Sequence, residues 1–160
     1  MTIKVGDRVP NGAFTVMTGE GPKPKTTDEL FKGKKVVLFA VPGAFTPTCS
    51  NNHLPGFVKN ASAIKAKGID TIAVTGVNDV FVMNAWKKAA GSDDIEFLAD
   101  GSAAWAKSLG LSVDLTERGL GVRSGRYAMV VDDGVVKTLN VEESPGKADT
   151  SGADNLLKSL

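Results

Sequence analysis

The sequence predicts an α/β fold in which a central mixed β-sheet is flanked by helices, and three observations carry that expectation. Lys35 to Val41 (KVVLFAV) is an unbroken, largely apolar run rich in β-branched and aromatic residues, closed by Pro42-Gly43; that is the pattern of a strand buried on both faces. Asp70 to Val77 (DTIAVTGV) is a second such run, and the segment between the two has helical spacing. Strand, helix, strand makes a βαβ unit, so these strands should lie parallel. Tyr127 to Val131 and Val135 to Val141 flank Asp132-Asp133-Gly134. Asp-Gly between β-rich runs signals a hairpin, hence an antiparallel pair. A sheet holding both kinds of neighbour is mixed.

The remaining elements follow along the chain. Thr18 to Thr27 (TGEGPKPKTT) is rich in Gly, Pro and Lys and reads as a surface loop. Thr46 is placed to be a helix N-cap and Pro47 the first helical residue, where a missing N–H loses no bond. Pro55-Gly56 predicts a kink or a break, after which the helix resumes through Phe57, Val58, Ala61 and Ile64 to about Lys67, with Gly68 as its stop. Asn78 or Asp79 caps the next helix, which runs to about Ala90 with Phe81, Val82, Ala85, Trp86 and Ala89 as its inner face. Ile95 to Leu98 reads as a short strand, Ser102 to Leu109 as a short helix ended by Gly110, and Asn155 to Leu160 as the end of a last helix. This order matches a thioredoxin-like architecture.

Bulk properties narrow the function. The 160 residues suit one domain, 1–160. Nineteen Lys and Arg against 18 Asp and Glu leave a formal charge of +1, which supplies no field to attract nucleic acid or an anionic membrane. No stretch approaches the roughly 20 apolar residues of a membrane span, and Met1 to Pro10 lacks the apolar run of a signal peptide. The single cysteine excludes an intramolecular disulfide and a Cys-rich zinc site, and it suits a reducing compartment, so a soluble cytoplasmic protein is expected. There is no GxxxxGK[ST], no well-placed GxGxxG and no metal-loop spacing of acidic residues. No cofactor and no metal are expected.

Chemistry centres on Cys49. It stands three residues after the proposed N-cap, in the first helical turn, where backbone N–H groups and the helix dipole favour an anion. The thiolate is the nucleophilic form, so this is a candidate reactive cysteine. The alternative is a structural thiol that packs like a small hydrophobe. The context Val41-Pro42-Gly43-Ala44-Phe45-Thr46-Pro47-Thr48-Cys49 contains Pro42-x-x-x-Thr46-x-x-Cys49 and resembles the active-site pattern of the peroxiredoxins. Its continuation, Ser50-Asn51-Asn52-His53-Leu54-Pro55-Gly56-Phe57, resembles the peroxiredoxin 5 subfamily, which includes the plant type II enzymes. The likeness extends through Val77-Asn78-Asp79-x-Phe81-Val82-Met83 and Arg126-Tyr127-Ala128-Met129-Val130-Val131, nearly the whole chain.

That resemblance implies a thiol-dependent peroxidase reducing hydrogen peroxide or alkyl hydroperoxides through a sulfenic acid on Cys49. Thr46, whose hydroxyl can both donate and accept, would position the peroxide besides starting the helix. Pro42 would shield the site from water besides ending the strand. Gly43, Thr48, Leu115 and Leu120 would border the peroxide. The family's distant arginine, which stabilises the thiolate and the charge developing on oxygen, falls at Arg126, with Arg123 as its competitor. His53, the only histidine, would share a face with Cys49 on a regular helix. A Cys–His nucleophile pair is conceivable, but the spacing leaves no obvious third group, and a pocket wall or an interface is the expected role.

Many enzymes of this subfamily have a second cysteine, in the strand around Val74 or the C-terminal segment around Ser151, and neither segment contains one here. An external thiol must then resolve the sulfenate: glutathione, with or without a glutaredoxin, or a thioredoxin. By resemblance the chain is also expected to form a homodimer near the active site, through Phe45, the helix end near Asp79 and Trp86, although Trp86 fits a core position better. Two other functions compete. A thiol–disulfide oxidoreductase of this fold usually has Cys-x-x-Cys, but Thr46 occupies the first position; only single-cysteine, glutaredoxin-like exchange remains open. A redox sensor that passes oxidation from Cys49 to a protein partner is the other.

Overall fold

The computed structural model describes residues 2–144 and 146–160. Its centre is the run read as a buried strand: β3 (Lys35–Val41) pairs parallel with β4 (Thr71–Gly76) on one side and antiparallel with β8 (Tyr127–Asp132) on the other. β4 pairs parallel with β5 (Ile95–Ala99), and β8 turns back as β9 (Val135–Val141) with a bulge at Val130/Val131. With β1 (Ala13–Thr18) and β2 (Gly21–Thr26) the sheet has seven strands in the order β2-β1-β5-β4-β3-β8-β9. This is the mixed, helix-flanked sheet expected.

Because strand side chains alternate, β3 feeds two cores. Val37, Phe39 and Val41 pack with Phe57, Ile64, Trp86, Phe97 and Leu156. Val36, Leu38 and Ala40 pack on the other face with Phe14, Leu30, Phe31, Trp105 and Tyr127. The helices that cover the sheet are α1 (Thr27–Phe31), α2 (Leu54–Lys65), α3 (Val80–Ala90), α4 (Ala104–Leu109) and α5 (Ala153–Leu157). None of the described helices is long and apolar enough to cross a membrane.

Four expectations need correction, and one element is unanticipated. The presumed loop Thr18 to Thr27 is mostly strand β2, paired with β1 and followed by α1, which a Thr26–Glu29 capping box starts. β2 lies at the sheet edge, where Pro22 and Pro24 need no partner for an N–H they lack; an edge strand of Pro, Lys and Gly has a loop's composition. The helix does not break at Pro55-Gly56. α2 runs through them, and the irregularity is a π-helical turn just before, Cys49–His53, closed by the Leu54 N–H on the Cys49 carbonyl. Pro55 would crowd the carbonyl four residues back in a regular helix, and the wider turn absorbs it. The inner face of α3 is Val80, Met83 and Trp86, while Phe81 is 65% exposed. Asn84, Lys87 and Lys88 fill one stripe of that helix, and packing of Trp86 against Phe97, ring centroids 5.5 Å apart, fixes which of its apolar residues turn inward. The last helix is Ala153–Leu157, ending before Leu160. Between α4 and β8 lies an unanticipated ribbon, β6 (Ser112–Leu115) with β7 (Gly121–Ser124).

Phe57 ties this frame to the π-helical turn. Its ring stacks on Phe39 at 4.0 Å and meets His53 edge-on at 5.6 Å, with all three buried. Phe57→Ala should cost about 3–5 kcal/mol, the price range of emptying a packed core, as a lowered urea midpoint with an unchanged m-value. A loss below about 1 kcal/mol would show that this stack does not anchor the turn.

Candidate active site

Where β3 ends, the chain turns through Pro42, Gly43 and Ala44, all buried. Two bonds hold this loop. The Ala44 N–H donates to Asn78 Oδ1 at 2.9 Å, and the Thr46 hydroxyl donates to the Gly43 carbonyl at 2.7 Å. Asp79, not Asn78, caps α3, through the Val82 N–H; Asn78 is thereby free to reach across. A Cβ on Gly43 would stand 3.0 Å from Thr46 Cγ2 and 3.2 Å from Arg123 Nη1, so any larger residue would press on both side chains. Pro47 and Thr48 start the helix, the Ser50 N–H closes onto the Thr46 carbonyl at 2.9 Å, and Cys49 follows in the first turn as expected.

Cys49, Arg126 and His53 are 0%, 2% and 1% exposed. Arg126 Nη2 donates to Cys49 Sγ at 3.0 Å, and Arg126 Nη1 lies 3.0 Å from His53 Nδ1. Guanidinium only donates, so Nδ1 is the acceptor. His53 Nε2 is 3.0 Å from the Ser151 carbonyl, which only accepts, so Nε2 carries the proton. Both bonds thus require the same neutral tautomer. Burial is the main force pushing the His53 pKa down to about 4; the Ser151 carbonyl opposes it, the Arg126 charge adds to it, and the Glu142 charge opposes it. A buried guanidinium keeps its charge and is stable only beside compensating groups.

Behind His53, Ser151 donates its N–H and its hydroxyl to Glu142 Oε2, each at 2.6 Å. Burial alone would raise the Glu142 carboxyl, but the bonds from Ser151, Thr150 and Asp149 outweigh it and hold the group below its ordinary range. Arg123, the competitor for the cationic role, has Nε on the Leu120 carbonyl at 2.8 Å and Nη1 near the Val77 and Pro42 carbonyls at 3.3 and 3.5 Å. It braces the loop and leaves the sulfur to Arg126.

The structure joins Arg126 to Cys49 and, on the loop that leads into the same helix, Thr46 to Gly43 beside buried Pro42. Thr46 offers a peroxide less than two-way bonding, because its proton is committed to Gly43; its lone pairs remain as acceptors. Thr48 turns to the C-terminal segment and donates to the Gly146 carbonyl at 3.1 Å. Leu115 and Leu120 flank the tip of the β6–β7 ribbon, joined by the Leu120 N–H on the Leu115 carbonyl at 3.1 Å, and the Leu120 carbonyl accepts from Arg123 Nε, whose guanidinium also reaches the Pro42 carbonyl. Trp86 is buried, its indole N–H on Ser50 Oγ at 3.1 Å, the core position that suits it better. Sequence reasoning missed Glu142 and Ser151, for which no local pattern exists, and the Asn78 tether. It named His53 without finding its partner, although a lone buried histidine beside a buried arginine is a pairing that the helix spacing alone cannot show.

The Redoxin family model matches residues 4–157. Among curated proteins, the chain is 51% identical to the chloroplastic peroxiredoxin-2E-2 of Oryza sativa subsp. japonica, over 99% of this chain and 73% of that one. It is 48% identical to peroxiredoxin-2C of the same plant, over 99% and 98%. Among solved structures, reduced Prx3 of Vibrio vulnificus in complex with hydrogen peroxide superposes with a TM-score of 0.94 at 51% identity, covering 99% of both chains.

His53 makes one pH dependence testable. Its folded pKa is depressed from 6.5 to about 4, so the unfolded chain binds the proton more readily. The stability of keeping His53 neutral is present in full above about pH 6.5 and is lost as pH falls to about 4, amounting to about 3 kcal/mol. His53→Gln should flatten the fall in urea-derived stability between pH 6.5 and 4.5. An unchanged slope in that variant would contradict the assignment.

Proposed function

The chain belongs to the Redoxin family and is a peroxiredoxin, a thiol peroxidase, and from that premise we propose that Cys49 is its peroxidatic cysteine, with Arg126 and Thr46 as the groups that hold the peroxide. The observation that carries this reading is the Arg126 Nη2–Cys49 Sγ contact of 3.0 Å in a buried site. A guanidinium there stabilises the thiolate before reaction and the charge that develops on the oxygens during it. The Thr46 lone pairs accept the peroxide O–H and set its axis. Pro42, buried beside the loop, keeps water from the sulfur.

Hydrogen peroxide, the molecule held by the Vibrio vulnificus protein, and alkyl hydroperoxides are the proposed substrates. Thiolate sulfur attacks one peroxide oxygen, an S–O bond forms, the O–O bond breaks, and the departing oxygen takes a proton from solvent to leave as water or an alcohol. Cys49 becomes a sulfenic acid. With no second cysteine in the sequence, an external thiol attacks that sulfur, releases water and leaves a mixed disulfide. A second thiol then restores Cys49 and departs with the first as a disulfide. Glutathione, with or without a glutaredoxin, is the proposed reductant ahead of a thioredoxin.

A homodimer is part of the proposal. Phe45 and Phe81 are 53% and 65% exposed, and the Ala44–Asn78 bond sets their segments side by side, an apolar patch that a second copy would cover.

Peroxide consumption in the presence of glutathione and glutaredoxin should be catalytic, vanish in Cys49→Ser, and pass through a species carrying one glutathione on Cys49 by mass spectrometry. Turnover supported by thioredoxin alone would contradict the reductant, and activity surviving in Cys49→Ser would contradict the nucleophile. In sedimentation, Phe81→Asp should convert a dimer to a monomer; a wild-type monomer at micromolar concentration removes the dimer.

A further inference from the structure

We infer that Glu142 and Ser151 are positioning residues for the peroxide reaction, a carboxylate staple that sets the tautomer of His53 and through it aims Arg126 at Cys49. This rests on the reading that Cys49 and Arg126 carry the chemistry. The bonds form a closed circuit. The Glu142 N–H donates to the Arg126 carbonyl at 3.0 Å. The Glu142 carboxylate receives the Ser151 N–H and hydroxyl at 2.6 Å and the Thr150 N–H at 3.3 Å. The Ser151 carbonyl receives His53 Nε2–H at 3.0 Å, and His53 Nδ1 receives Arg126 Nη1 at 3.0 Å. The circuit starts at the main chain of Arg126 and returns to its guanidinium.

Each link has a physical reason. An imidazole that carried its proton on Nδ1 would set a donor against the guanidinium donor and push it off the sulfur. The Ser151 carbonyl prevents that by requiring the proton on Nε2, and it does so only while it points at the ring. The carboxylate is what points it. Three donors from residues 150 and 151 converge on Glu142, and hydrogen bonds to a charged acceptor are about twice as strong as neutral ones. Ser151 is fully buried, so its donors have no water to turn to. The Thr48 hydroxyl on the Gly146 carbonyl ties the same C-terminal segment to the residue before Cys49, so the segment is referenced to both sides of the sulfur.

The test uses the full chain labelled with 15N-histidine, in which the single histidine assigns itself. Wild type should show His53 protonated on Nε2 and unprotonated on Nδ1 at neutral pH. Glu142→Gln should mix the tautomers and lower the second-order rate with hydrogen peroxide about tenfold, with Ser151→Ala about threefold lower, each in proportion to bonds lost from the circuit. A variant that holds its turn but not its tautomer keeps a cooperative thermal transition while losing rate, which a purely structural role would not produce. Wild-type tautomer together with wild-type rate in both variants overturns the staple. A lowered rate with the tautomer unchanged also overturns it, because Glu142 would then act by another route. A wild-type rate no faster than free cysteine overturns the underlying reading of the site instead.

Discussion

The contact on which the site depends is between a buried guanidinium and a buried sulfur. Moving an arginine out of water carries a penalty of several kcal/mol that only well-placed partners offset. Here Arg126 is 2% exposed with Cys49 Sγ at 3.0 Å. The sulfur benefits from a neighbouring cation, and the cation from a sulfur that can ionise. The buried charge of Arg126 is offset in part by the sulfur beside it. Neutral His53 fits the same logic, since a second positive charge against Arg126 would remove the reason for the pair.

The sheet supplies the geometry. β3 and β8 pair antiparallel with Ala40 opposite Tyr127, so Arg126 emerges where β3 ends and the Pro42–Thr46 loop begins. Seventy-seven residues of sequence separate the arginine from the cysteine, and one strand pairing cancels that separation. The π-helical turn Cys49–His53 then places the sulfur and the imidazole against the two ends of one guanidinium. Phe39 and Phe57 wall the imidazole from below, which is also what depresses its basicity.

The parts of this arrangement that are local were legible in the sequence. Lys35–Val41 reads as a central strand because a strand covered on both faces is apolar throughout, and Cys49 reads as reactive because a threonine cap and a proline open the helix before it. Arg126 was legible only through resemblance. Taken by itself it is a charged residue at a strand start, and nothing in its neighbours distinguishes it from Arg123. The structure separates them by giving Arg126 the sulfur and Arg123 three carbonyls. Edge strand β2 was missed because its prolines and lysines suit an unpaired edge and a loop equally. The π-helical turn was missed because Pro55 marks a disturbance without saying which turn absorbs it. Glu142 and Ser151 act through long-range bonds that no spacing rule encodes.

The most direct measurement is the pre-steady-state rate of Cys49 oxidation by hydrogen peroxide, followed by tryptophan fluorescence in wild type and in Arg126→Gln. The expected result is a wild-type rate far above that of free cysteine and a fall of about 10²–10³-fold in the variant, the range for losing a preorganised donor to a developing oxyanion, with the fold intact by circular dichroism. A folded Arg126→Gln protein reacting within a few-fold of wild type would contradict it, because the cation at 3.0 Å from the sulfur would then be packing rather than chemistry.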